Sequence, residues 1–210
     1  MTGAQAGIVM VGAGGHAKVC IELLRAMGEH VAFCVGGDDS PPACLGVPVL
    51  RGDAHLARLR EEGYARAFIA IGSNHVRVKL GHNAAAMGYT LVNAVSPRAV
   101  VSPTARLGAG IAIMAGAVIN ADAAIGDLAI VNTGASVDHD CTIDAGVHLA
   151  PQCALAGNVH VGAGAFLGIG CRVIPQVSIG ARAVVGAGSV ALCDIPDDAT
   201  AVGVPAKQIK

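Results

Sequence analysis

Residues 107–149 read LGAGIAIMAGAVINADAAIGDLAIVNTGASVDHDCTIDAGVHL, and their period decides the fold. From Leu107, steps of six land on Ile113, Ile119, Ile125, Val131, Val137, Ile143 and Leu149. The series runs on through Leu155, Val161, Leu167, Val173, Ile179 and Val185, making fourteen Leu, Ile or Val without an insertion. Two residues before each stands a small or β-branched residue, such as Ala117, Ala135, Cys141 or Cys153. Glycine follows the aliphatic at 108, 126, 162, 168, 180 and 186. A strict six-residue repeat is the mark of a parallel β-helix. Three hexads then make a coil of about 18 residues, and coils stack at the strand spacing of about 4.8 Å. Each aliphatic is expected in the lumen, and residues one coil apart are expected above one another.

Composition agrees with a narrow lumen. The chain of 210 residues has 29 Gly, no Trp and only 2% aromatics, so small aliphatics must fill its interior. It is 53% hydrophobic, yet no run reaches the roughly 18 uncharged apolar residues that span a bilayer. The start MTGAQAGIVMVGAGGHAK lacks a basic n-region, so no signal peptide is read. A net charge of −1 suggests neither a nucleic-acid nor an anionic-membrane partner. The seven Cys form no C-x-x-C and no metal-like cluster with His, so they read as buried thiols in a reducing cytoplasm, and no metal is expected.

The segment before Pro97 has a different period. GIVMVG (7–12), HVAFCVG (30–36), ARAFIAIG (65–72) and YTLVNAV (89–95) read as strands. HAKVCIELLRAMG (16–28), with Val19, Leu23, Leu24 and Met27 at helical spacing, reads as a helix. DAHLARLREEG (53–63) and NHVRVKLGHNAAAMG (74–88) read likewise. The β-α-β order predicts a Rossmann-like α/β domain over 1–96, followed by the β-helix over 97–210.

In VGAGGHAKV (11–19) glycines join a strand to a helix. The turn alone can require them; equally, the loop can cradle a phosphate on backbone N–H groups at a helix N-terminus. Asp38 and Asp39 end the second strand, where an acid can meet a ribose or base. A dinucleotide-dependent oxidoreductase would use such a loop, but no dehydrogenase substrate domain follows. On the coil, the column through His139 is Ala121, His139, Gly157 and Pro175, so His139 is its only titratable side chain. His139 follows Val137 by two and is expected to face outward, as a solvated corner residue or as a base. The column Asn132, Ala150, Gly168, Gly186 is nearly bare of side chains, which suits either coil turns or an extended amide ligand. Asn120 and Asn132 fit a coil corner as well as a polar contact.

The hexads, the closing VGVPAK (202–207), the GxGGHAKV loop and VDHDC (137–141) together resemble the hexapeptide-repeat nucleotide-sugar N-acetyltransferases that act on 4-amino-4,6-dideoxy sugars. The resemblance covers essentially the whole chain. It implies a left-handed coil, a homotrimer with sites between subunits, and acetyl-CoA as co-substrate. It implies that the small domain holds the nucleotide-linked sugar, with Gly12, Gly14, Gly15 and His16 at the pyrophosphate and sugar. Asp38, Asp39, Gly72 and Asn74 would lie near the nucleotide, although two glycines separate these acids from their strand. Asn120 would contact the sugar. Acetyl-CoA would run along Ala150, Gly168 and Gly186, with Pro205 and Lys207 near its nucleotide end. His139 would take the proton from the sugar amine as it attacks the thioester. Asp140, with Asp138 as the alternative, would orient the imidazole, a backbone N–H of the bare column would hold the oxyanion, and His148 and Asn132 would support. The expected acceptor is GDP-linked perosamine. A UDP-linked 4-amino sugar, O-acetylation of a sugar such as sialic acid, and a non-enzymatic nucleotide sensor are the alternatives.

Overall fold

The computed structural model describes residues 5–210 and divides the chain into two compact units, Met1–Val95 and Ser96–Lys210. In the first, β1 (Gln5–Val11), β2 (Val31–Gly36), β3 (Ala43–Cys44), β4 (Val47–Arg51), β5 (Tyr64–Ile69) and β6 (Thr90–Leu91) form one sheet in the order β3-β4-β2-β1-β5-β6. All neighbours are parallel except β3 and β4. The helices are α1 (Gly15–Ala26), α2 (Ala54–Glu61) and α3 (Asn74–Ala86). The chain leaves β1 toward β2 and later returns on β1's other side as β5. The carboxyl ends of β1 and β5 therefore flank the topological switch point, where open α/β sheets bind ligands.

Two local readings change. The buried face of α1 is Ala17, Cys20, Ile21, Leu23 and Leu24, whereas Val19 and Met27 are exposed. Ala and Cys are small enough to let the helix lie close on the sheet, so they take the inner face in place of the larger side chains. The β3–β4 hairpin was not anticipated. Its turn is Leu45–Gly46, both at positive φ (47° and 80°), and the signal for it was a leucine-glycine pair between two short apolar runs.

The second unit is a parallel β-helix. Up to Val185 its strands are two residues long and pair with the strand 18 residues on: Ile113 with Val131, Val131 with Leu149, Leu149 with Leu167. The same register holds on the other two faces, as in Val137 with Leu155 and Ile125 with Ile143. Hexad aliphatics from Ile113 to Val185 and their small partners from Ile111 to Ala183 are all buried. Both sets face the lumen because side chains two apart on a strand share a face.

A second six-residue series sits at the corners. Residues 110, 116, 122, 128, 134, 140, 146, 152, 158, 164, 170, 176, 182 and 188 all have positive φ. Each lies three past a hexad aliphatic, at the position of a tight turn that requires the left-handed region. The glycines directly after the aliphatics have another cause. A Cβ on Gly126 would lie 2.6 Å from Ala145 N, and one on Gly162 2.5 Å from Ala181 N, so the next coil excludes a side chain there.

Candidate active site

His139 and Asp140 are the two central residues of one coil corner. Asp140 takes the left-handed position (φ 59°), which a short polar side chain tolerates better than most. From there its Oδ2 reaches His139 Nδ1 at 2.7 Å. Asp138 does different work: its Oδ1 accepts the His139 backbone N–H at 2.8 Å and Asn120 Nδ2 at 2.9 Å. Of the flanking acids, then, one holds the ring and the other the backbone. The Asn120 hydrogen bond, followed by that of the His139 backbone, holds the Asp138 carboxyl below its ordinary range. The hydrogen bond that His139 donates to Asp140, helped by the charges of both aspartates, raises His139 above the ordinary imidazole value.

With Nδ1 donating to Asp140, the neutral imidazole carries its lone pair on Nε2. That atom has no protein partner among the described residues, and 54% of the side chain is exposed. The ring lies over Gly157, one coil on: a Cβ there would sit 2.6 Å from both Cε1 and Nε2. Gly157 N–H donates to nothing among the described residues. Residue 157 therefore makes room for the imidazole.

The bare column is different. Ala150 N–H donates to Leu167 O, Gly168 N–H to Val185 O and Gly186 N–H to Ala201 O, at 2.7–2.9 Å. A Cβ on Gly168 would meet Ala187 N at 2.6 Å, and one on Gly186 Val202 Cγ1 at 2.7 Å. Coil stacking accounts for the missing side chains, and these N–H groups are already committed to the ladder. The expectation that one of them holds an oxyanion is corrected on that ground; Gly157 N–H, by contrast, is not committed to the ladder. Asn132 Nδ2 lies 3.1 Å from His148 Nε2, and the His148 ring packs edge-on against Phe166 at 5.3 Å. Asn132 thus serves His148. Pro205 and Lys207 are exposed, and Lys207 pairs with Val202 in the closing hairpin. A depression of about 370 Å³ lies elsewhere on the coil, between His160, Asp144 and Asp197, and holds none of the anticipated residues.

In the α/β unit, the loops after β1, β2 and β5 carry the anticipated residues. Gly12 has φ 116°, and a Cβ there would lie 2.7 Å from Ala70 O, so β1 and β5 close up at this point only without a side chain. Gly14 caps α1 and Gly15 begins it; both are exposed, with open space where a Cβ would stand. His16 Nε2 is buried and has no hydrogen-bond partner among the described residues. Burial, and then the charge of Arg77, lowers the His16 pKa and keeps the ring neutral. Asp38 and Asp39 lie exposed on the turn after β2. Gly72 and Asn74 border α3, where Asn74 Oδ1 accepts a hydrogen bond from Arg77 Nη2 at 2.9 Å.

Residues 7–84 match the PglD N-terminal domain family. The whole chain is similar to PerB from Caulobacter crescentus, solved with CoA and GDP-perosamine: 58% identity, 99% of both chains covered, TM-score 0.96. The acetyltransferase domain of PglB from Neisseria gonorrhoeae, solved also with acetyl coenzyme A, is 39% identical over 98% of this chain and all of that one, with TM-score 0.91. The chain belongs to the hexapeptide-repeat sugar acetyltransferases.

As a member of that family it is a sugar acetyltransferase, and the two relatives were solved with CoA or acetyl coenzyme A bound. Among the described residues, no group of three or more His, Cys, Asp or Glu is arranged to hold a metal ion. Among the described residues, no helix is long and apolar enough to cross a membrane. Two residues of interest were not singled out from the sequence as site residues. Gly157 was seen only as a gap in the His139 column, although its place one coil below a functional histidine was the available signal. Arg77 left no signal, since an arginine on a polar helix reads as solvated until its burial is seen.

Proposed function

We propose that this acetyltransferase acts on the 4-amine of a nucleotide-linked 4-amino-4,6-dideoxy sugar, GDP-perosamine being the acceptor favoured by the likeness to PerB. The observation that carries the mechanism is His139, held at Nδ1 by Asp140 and open at Nε2 over Gly157. The neutral amine attacks the thioester carbonyl carbon, and Nε2 accepts the proton as the C–N bond forms. The tetrahedral oxyanion takes the Gly157 N–H, a preorganised donor of the kind that stabilises such charge. Collapse expels the CoA thiolate, which is protonated on leaving, by the imidazolium or by solvent. Asp140 stabilises that imidazolium and fixes its tautomer. Both substrates react in one ternary complex, so no acyl-enzyme forms and proximity supplies much of the rate.

The α/β unit binds the nucleotide through Gly12, Gly14, Gly15, His16, Asp38, Asp39, Gly72 and Asn74. The surface of Ala150, Gly168 and Gly186 carries the pantetheine arm through carbonyl and apolar contacts, with Pro205 and Lys207 at its nucleotide end. The half-exposed His139 side chain calls for a second wall, which a homotrimer supplies, and His148 with Asn132 would act from that neighbouring subunit. Seven free cysteines, six of them buried, suit a reducing cytoplasm. The test is thiol release from acetyl-CoA with GDP-perosamine, the UDP-linked sugar and free sialic acid in parallel. Release with the GDP-amino sugar alone is expected; preferential turnover of either other acceptor overturns the assignment. Sedimentation analysis checks the trimer.

A further inference from the structure

The N-terminal crevice rests on one buried cation. Arg77, on the second turn of α3, is only 1% exposed. Its Nη1 donates to Ile71 O at 3.0 Å and Gly72 O at 3.1 Å, and its Nη2 to Asn74 Oδ1 at 2.9 Å. The first two acceptors lie on the loop that leads from β5 into α3, and Asn74 begins that helix. The same guanidinium acts electrostatically on Cys20 of α1 and on His16, the residue that follows the glycines of the β1 loop. Burial lowers Arg77 to about 10, which leaves it charged at neutral pH.

Burying a cation costs several kcal/mol before its hydrogen bonds offset the loss of water. An apolar side chain would fill the same space more cheaply. What only arginine supplies is a planar fork of donors that fixes several oxygens at once, together with a permanent charge. The fork fixes the wall contributed by β5 and α3. The charge lies within range of His16, whose buried Nε2 faces no protein partner among the described residues.

We propose that Arg77 is the positioning residue of the nucleotide-sugar crevice, shaping the Ile71–Asn74 loop and adding positive potential behind the glycine loop for a ligand bearing a diphosphate. This rests on the nucleotide-sugar reading above. Arg77 does not touch the ligand; it acts through the loop and through His16.

The test uses the full-length protein with Arg77→Met and Arg77→Lys. Calorimetric titrations with GDP-perosamine, GDP and CoA are compared with wild type, and the His16 imidazole is titrated by NMR. Arg77→Met is expected to weaken both GDP ligands on the order of tenfold or more, as loss of charge-assisted hydrogen bonds does. CoA affinity and kcat at saturation should stay unchanged. The His16 titration should move up toward an ordinary imidazole in an Arg77→Met protein whose thermal midpoint stays near that of wild type, because loosening alone would also expose the ring. Arg77→Lys keeps the charge without the fork and should fall between. GDP-ligand affinity within twofold of wild type in a folded Arg77→Met overturns the inference. If Arg77→Met does not fold, Arg77→Lys decides by the same readouts; failure of both to fold makes Arg77 a structural residue and also overturns it. A wild-type protein that binds neither GDP ligand sinks the nucleotide-sugar reading instead.

Discussion

In the β-helix, a residue's number gives its place in space; in the α/β unit it does not. Strict pairing at 18 residues puts His139 over Gly157 and Asn120 beside Asp138. The glycine loop and the β5–α3 loop instead meet because β1 and β5 are neighbours in the sheet, although Gly12 and Gly72 are far apart in the chain. One unit fixes chemistry by register, the other by topology and loop packing. Substitutions should therefore act differently in the two.

The largest effect is expected from His139→Ala, which removes the base from an intact corner. Turnover should fall by about 10²–10⁴, with the affinities for both substrates retained. Thiol release and calorimetry measure this, and unchanged kcat would break the reading of the coil. Gly157→Ala comes next. Its methyl would collide with Cε1 and Nε2 of the imidazole and push the ring from its place. A displacement near 1 Å can cost on the order of 10² in rate, and the thermal midpoint should move little because the half-exposed imidazole can swing into solvent.

Asp140→Asn sharpens the picture by pH. Asp140 is the main cause of the raised His139 pKa. Protonated His139 cannot act as a base, so wild-type activity is lost as pH falls through that raised value. The substitution lowers the pKa, so the acid limb of kcat/KM should shift to lower pH. The plateau should drop by on the order of tenfold, because the imidazolium loses its partner. An unmoved acid limb would assign it to another group.

Gly12→Ala tests the α/β unit. A Cβ there meets Ala70 O, and the residue's φ of 116° is unfavourable for any L side chain. KM for the nucleotide sugar should rise roughly tenfold, a cost of the order of backbone strain, while CoA affinity holds. Asn120→Ala is the mildest. It removes one of the two hydrogen bonds that hold the Asp138 carboxylate, so kcat should fall only a few-fold, as for a net loss of about 1 kcal/mol.

Legibility followed the same division. The lumen positions of the coil could be read from the hexads, because a lumen only wide enough for aliphatics enforces its period on the chain. The left-handed corner series ran in the sequence too, but mixed among Gly, Asp, Asn, Gln, Leu and Arg it hid its cause. Asp140 is the instructive case: one residue meets a backbone demand and supplies the acid that holds His139. Strands β1, β2 and β5 of the α/β unit were legible as apolar runs. The inner face of α1 was not, because Ala17 and Cys20 compete weakly with Val19 and Met27 in any hydropathy pattern. The committed N–H groups of Ala150, Gly168 and Gly186 were equally hidden, since hydrogen-bond partners one coil away leave no mark on composition.

The sequence by itself determined the six-residue repeat, the 18-residue coil, the outward His139 between two acids and the glycine turn after the first strand. Periodic packing and backbone stereochemistry act residue by residue, so they are written along the chain. Only the tertiary structure decided that Asp140 holds the ring while Asp138 holds the backbone, that Gly157 makes room for the imidazole, and that Arg77 is buried beneath the β5–α3 loop. Those outcomes depend on distances between segments brought together by folding, and a few tenths of an ångström there separate a hydrogen bond from a solvated surface group.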